Sequence, residues 1–242
     1  MHFSKEPLGS GPKGNAGFTL IELAIVLVVI GLIIAAVLKG EDLINNGRML
    51  NFVSNPVREA QTAAMAYYDR TGQYPDAVTN GNSTTGPLYN MYQAGITSVL
   101  DMNTYFNQGG VQLGAALGNI QVTGTDGVTT ATYPVMVIEQ VTKGANGLTV
   151  VPWSQSALGY ANYLKSKIDG NSSSWTSGRV RMLNSSVPVE FKTLASELTN
   201  APSTVAYDGF VEPSSTYSSS NFVTPAAGQS YTLVYFYDQQ PH

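Results

Sequence analysis

The 242-residue sequence contains no cysteine and only two histidines, and charged side chains make up just 12% of it. Zero cysteine excludes a disulfide framework, a thiol nucleophile and a cysteine zinc site. The histidines, His2 and His242, stand at opposite ends of the chain. Neither a Ser-His-Asp arrangement nor a multi-histidine metal centre is therefore expected. The charged fraction compares with about a quarter in ordinary globular domains, so solubility rests on Ser, Thr, Asn, Gln and Gly. Such a surface suits an exported protein packed against copies of itself. A net charge of −4 and a pI near 5.1 argue against general nucleic-acid binding, whose footprint is a basic domain or stripe.

What is present begins with an uninterrupted apolar run of 21 residues, Phe18 to Leu38. As a helix it would span about 31 Å, the thickness of a bilayer's hydrocarbon core. Two features are unusual for a simple anchor. A lone acid, Glu22, lies four residues inside the run, and a Gly/Pro/Ser-rich leader, Met1 to Gly17, carries Lys5 and Lys13 ahead of it. A carboxylate costs about 2.5 to 3.5 kcal/mol at the centre of an inserted helix and less near an end. If the chain were cut between Gly17 and Phe18, the new α-amine would be mostly protonated at neutral pH. Glu22 would then lie one turn from a cation. It would also sit at the positive end of the helix dipole, where an acid is favoured by a few tenths to about 1 kcal/mol.

The stretch Lys13-Gly14-Asn15-Ala16-Gly17-Phe18-Thr19-Leu20-Ile21-Glu22-Leu23 resembles the class III signal of type IV prepilins and type II secretion pseudopilins. The resemblance implies that a membrane prepilin peptidase cuts after Gly17 and methylates the amine of Phe18. It also implies that the Glu22 carboxylate pairs with the terminal amine of an adjacent subunit as a filament grows. Two family features are missing: the disulfide that staples the C-terminal loop of most type IV pilins, and a proline in the first helix, where Lys39 stands beside Gly40. Several pseudopilins lack that disulfide, which keeps a secretion role open.

Beyond the run, residues 41–70 are expected to continue the helix, with Leu43, Ile44, Leu50, Val53, Val57, Ala60, Ala64, Tyr67 and Tyr68 as a stripe that clamps a sheet. Gly31, Gly40, Gly47 and Pro56 weaken it. Gly31 to Gly40 is a candidate for unwinding as the subunit leaves the membrane, with close helix packing at those glycines as the alternative. The helix should stop at Gly72-Gln73-Tyr74-Pro75. Residues 72–118 are expected to be a loop-rich connector with a short helix at 88–94. Strands are expected at 119–123, 130–141 and 148–151 as an antiparallel meander, then at 178–183 and 231–237. Ser154 is the expected cap of a helix reaching Ile168, and Ser214 to Thr224 an exposed loop.

Three further groups of residues could carry chemistry, and each has a plain structural reading. Gly124-Thr125-Asp126-Gly127 and Ile168-Asp169-Gly170-Asn171 could lend oxygens to calcium, yet both lack its ligand density and read better as turns. Lys165, Lys167, Arg179 and Arg181 could form a basic patch, or merely a solvated helix face and strand edge. Scattered single carboxylates, Glu139, Asp208 and Asp238 among them, show no spacing that forces two together.

The expected fold is thus α+β, pilin-like, with a long N-terminal helix packed on an antiparallel head at residues 119–242. The expected function is that of a prepilin, a structural filament subunit and not an enzyme, with Gly17 and Phe18 as processing residues and Glu22 as the assembly residue. No cofactor or metal is expected. Resemblance implies as partners further copies of the chain, the prepilin peptidase, and an inner-membrane assembly platform with its ATPase. It places the chain first in the bacterial inner membrane, N-terminus cytoplasmic, and then in a surface pilus or periplasmic pseudopilus. A type II secretion pseudopilin, a minor or tip pilin, and a membrane-anchored exported enzyme or binding protein are the alternatives.

Overall fold

Apolar side chains spaced for a helix and the absence of proline between Phe18 and Pro56 give an α1 that runs from Leu20–Phe52 without a break. It passes Gly31, Gly40 and Gly47, where an added Cβ would meet nothing within 4 Å. The computed structural model describes residues 18–80, 83–96, 104–124, 126–145, 147–170, 174–184, 189–193, 207–211 and 216–238. The leader and Gly17 lie outside the described residues, as do His2 and His242. The chain forms two units, residues 1–44 and 45–242.

In the second unit α1 gives way to a π turn, Val53–Val57, and then to α2, Arg58–Thr71. Pro56 lies inside the π turn. Its ring would clash with the preceding turn of a regular α-helix, and the wider turn relieves that. The Arg58 N–H reaches back to the carbonyl of Val53. One residue is thereby added to the turn, and the buried positions become Phe52, Val53, Val57, Ala60 and Ala64. Leu50 and Tyr68, which a regular period assigns to the clamp, are exposed instead. Gly72 ends α2 in the left-handed region, φ 75°, its N–H on the carbonyl of Tyr68 at 2.7 Å.

A two-stranded ribbon, β1 (Val78–Asn80) and β2 (Ser83–Thr85), precedes the seven-residue α3, Pro87–Gln93. Among the described residues nine strands follow: β3 (Tyr105–Gln108), β4 (Val111–Thr123), β5 (Thr130–Gly144), β6 (Gly147–Val150), β7 (Val180–Leu183), β8 (Val189–Thr193), β9 (Tyr207–Val211), β10 (Thr216–Ser218) and β11 (Thr232–Phe236). Helix α4, Gln155–Ile168, interrupts them. They form one sheet in the order β7-β11-β5-β4-β9-β8, with β3 and β10 on β4 and β6 on β5. The sheet is mixed: β9 and β10 both pair with β4 in parallel, so the expected antiparallel head is corrected at those two pairings.

Period-2 alternation splits the sheet's two faces. Leu113, Ala115, Leu117, Met136, Ile138, Leu233 and Tyr235 pack with the buried face of α2 and with α4. On the other face Ala116, Ile120, Val135, Val137, Val234 and Phe236 form a second cluster with Val211 and Phe222. Phe222 belongs to the stretch expected as an exposed loop; β10 and a 3₁₀ turn at Ser219–Asn221 occupy it instead.

The largest departure from expectation is β3 and the first half of β4, which take up residues read as connector. Gly114 and Gly118 hide the strand pattern there, and the fold needs them small. A Cβ on Gly114 would stand 2.6 Å from the Phe191 ring, and one on Gly118 would stand 2.8 Å from the Val211 Cβ. The Gly127 N–H on the Gly124 carbonyl at 3.0 Å and the strand pair β5/β6, closed by Gly144 opposite Gly147, match the reading of the sequence; Thr125 and Asn146 lie outside the described residues. Ser154 caps α4 by accepting the Ala157 N–H at 3.2 Å.

Candidate processing and assembly site

The site expected from the sequence is the start of α1. Phe18 is 88% exposed and Leu20 92%, and no residue in the most apolar part of the helix is buried within the chain. The helix is long and apolar enough to cross a membrane. Hydrophobic all round, it requires lipid or other apolar helices on every side.

Glu22 does more in the structure than reading the chain suggested. Thr19 donates to the Glu22 Oε2 through both its N–H, at 2.8 Å, and its hydroxyl, at 2.9 Å. The Glu22 N–H returns a bond to the Thr19 hydroxyl at 3.3 Å. These three bonds are a capping box: Thr19 is the N-cap of α1, and Glu22, three residues on, satisfies the cap's own N–H. The signal was legible as Thr19-Leu20-Ile21-Glu22 ahead of an apolar run, and attention to the lone acid alone passed over it. All three contacts leave Oε1 out, and a carboxylate offers about four acceptor positions. The cap thus fixes the rotamer while an acceptor oxygen stays at the N-terminal rim.

Residues 12–38 match the family model described as Prokaryotic N-terminal methylation motif. The chain carries the type IV pilin and pseudopilin signal. No curated protein and no solved structure matches the chain. The pilin signal implies processing by a prepilin peptidase and assembly into a filament, and with the apolar α1 it fits membrane anchoring before assembly.

The other candidate residues of this chain are occupied with holding the head together. Asp126 accepts the Val128 and Thr129 N–H groups, each at 3.0 Å, and the Thr129 hydroxyl, and these bonds hold its carboxyl below the usual range. Asp169 accepts the N–H groups of Arg179 at 2.8 Å and Val180 at 3.0 Å. Lys165, 2% exposed, bonds Asp169 at 3.0 Å and the carbonyls of Ser177 and Val180. Arg181 lies over the Phe222 and Phe236 rings at 5.2 and 5.4 Å. Arg179 donates to the carbonyls of Phe236 and Tyr237. Sequence spacing suggested a basic patch; the structure uses three of its four cations to tie α4, β7 and β11 together. Asp208, fully buried, accepts the Leu88 and Tyr89 N–H groups and so anchors α3 on β9.

Proposed function

We propose that the chain is a prepilin, the structural subunit of a type IV pilus-like filament. In this reading the prepilin peptidase cuts between Gly17 and Phe18 and methylates the new amine of Phe18. The membrane then stores the subunit by α1 until an inner-membrane platform and its ATPase move that helix from lipid into a bundle of its copies. Both environments bury the same apolar surface, at roughly 25 cal/mol per Å² relative to water, so the transfer itself has no large hydrophobic cost. What distinguishes a neighbouring helix from lipid is the counter-charge it brings. The observation that carries the reading is the pilin signal on a helix whose apolar run, residues 18–38, holds one acid, Glu22, pre-oriented by Thr19 at the N-terminal rim, Oε1 outside the cap. A sister subunit's ammonium would complete that acid, fixing axial register as a buried polar group does in a coiled coil.

Mass spectrometry of native membrane or filament material tests this. The expected species begins at Phe18 and carries one additional methyl group; a chain still bearing Met1 to Gly17 in the assembled fraction would contradict the reading. A type II secretion pseudopilin is the second reading, supported by the absence of cysteine. Microscopy of sheared cells separates the two, because only a surface pilus yields long free filaments.

A further inference from the structure

Within the second unit, where α2 ends at Gly72, the chain passes the turn-side ends of β4 and β5 and the residue just beyond β11. A cleft of about 470 Å³ opens there, bounded by Tyr68, Tyr74, Asp76, Asn119, Tyr133 and Asp238. Tyr68 and Tyr74 stack at 4.5 Å with 21° between their planes, and Tyr237 meets Tyr74 edge-on at 5.7 Å. Among the described residues no lysine or arginine lines it. Arg70 donates to the Ala94 carbonyl, and Arg179 to those of Phe236 and Tyr237.

The cleft therefore concentrates acceptors and π faces without a cation. Asp76 is largely withdrawn from water, and burial raises its carboxyl although Asn119 at 2.8 Å and the Ala77 N–H at 2.9 Å donate to it. Burial first, and then a bond to Asp238, pushes the Tyr74 hydroxyl up to about 12. The Tyr237 hydroxyl is fully buried and has no hydrogen-bond partner among the described residues. Burial raises it, and Tyr74, Asp76 and Asp238 add their charge.

We propose that this cleft binds a primary ammonium group of the kind a lysine side chain presents. The carboxylates of Asp76 and Asp238 are N–H acceptors, Gln73, Asn119 and Thr132 add polar residues to the lining, and the tyrosine faces add cation–π attraction. A quaternary ammonium has no N–H to give those oxygens. A neutral sugar is the poorer fit, because the Tyr68–Tyr74 stack occupies the inner ring faces and the lining holds no charged donor. Calcium wants six to eight oxygens, and among the described residues no group of three or more acidic or histidine side chains that could hold a metal ion comes together.

The test is calorimetric titration of the full chain in a non-ionic detergent with Nα-acetyl-lysine methylamide, beside its Nε-acetylated form and glucose. Saturable one-to-one binding of the amine is expected, with no saturable binding of the other two probes. Asp238→Asn should weaken it about threefold or more. Asp238 is exposed, so this variant keeps its fold, which circular dichroism verifies; Tyr68→Leu, at a 44% exposed position, is the second variant and should weaken binding too. Absence of saturable binding, equal binding of the Nε-acetylated probe or of glucose, or unchanged affinity in both variants would overturn the proposal.

Discussion

Glu139 lies on β5 among apolar neighbours, 2% exposed, with the Thr232 hydroxyl donating to it. Burial pushes its carboxyl up to about 8. A group whose folded pKa is raised favours the native state while protonated in it. Stability from this site is complete below the unfolded value, near 4.5, and is lost as pH rises through about 8. Between those limits the loss runs at up to about 1.4 kcal/mol per pH unit. Denaturant titration should show the wild-type head weakening from pH 5 to pH 8. Glu139→Gln, neutral at every pH, should flatten that slope and be the more stable protein at pH 8. Thr19 makes a second residue-scale case. Thr19→Ala removes the hydroxyl that donates to the Glu22 carboxylate and accepts the Glu22 N–H, leaving only the backbone N–H as a donor, and should cost the helix start about 1 kcal/mol. Because it loosens the carboxylate's rotamer, it should also lower filament yield while leaving cleavage intact, and Thr19→Ser should restore the yield. Immunoblots of processed and sheared material read both effects.

At the scale of elements, close approach and not hydrophobicity sets the limits. Gly209 on β9 faces β4 so tightly that a Cβ would fall on the Ala115 carbonyl oxygen and the Phe191 ring. A backbone oxygen cannot rotate aside as a side chain can. Gly209→Ala should therefore force β9 from β4 and cost about 1 to 3 kcal/mol or more, seen as a fall in the denaturation midpoint of the head. The π turn at Val53–Val57 works at the same scale. It places Phe52 against Phe106 and Tyr160, at 5.0 and 5.7 Å, and brings Val57, Ala60 and Ala64 onto the sheet. Residue spacing for an ordinary α-helix assigns Leu50 to that face, and the extra residue in the turn displaces it.

At the scale of the whole molecule, the exposed apolar run at residues 18–38 of the first unit and the two closed clusters of the second carry different demands. Several charged groups of the head are paired internally: Lys165 with Asp169, Asp208 with α3, Arg179 with the end of β11. Residues 18–38 have no such closure and need lipid or sister helices. Glu22→Val should leave processing and membrane insertion unchanged, since it makes the helix more apolar, yet should impair assembly because the acceptor of the neighbouring ammonium is gone. Normal filament yield from that variant, measured by electron microscopy of sheared fractions, would sink the register role of Glu22.

What could be read in the chain is what depends on neighbours in sequence. The span, the Gly72 stop, the Ser154 cap and the β5/β6 turn each need only a few adjacent residues, whose periodicity or backbone freedom acts locally. The pilin signal is legible for the same reason, as one short contiguous stretch. Tertiary structure decided the rest: that Gly114 and Gly118 belong to a strand, that β9 and β10 join β4 in parallel, and that Arg179, Arg181 and Lys165 are ties and not a surface patch. It also brought Tyr68, Asp76, Tyr133 and Asp238 to one cleft. Those outcomes rest on groups up to 170 residues apart. The energies that choose them, steric exclusion at a missing Cβ and desolvation of a charge, exist only once the distant partner has arrived.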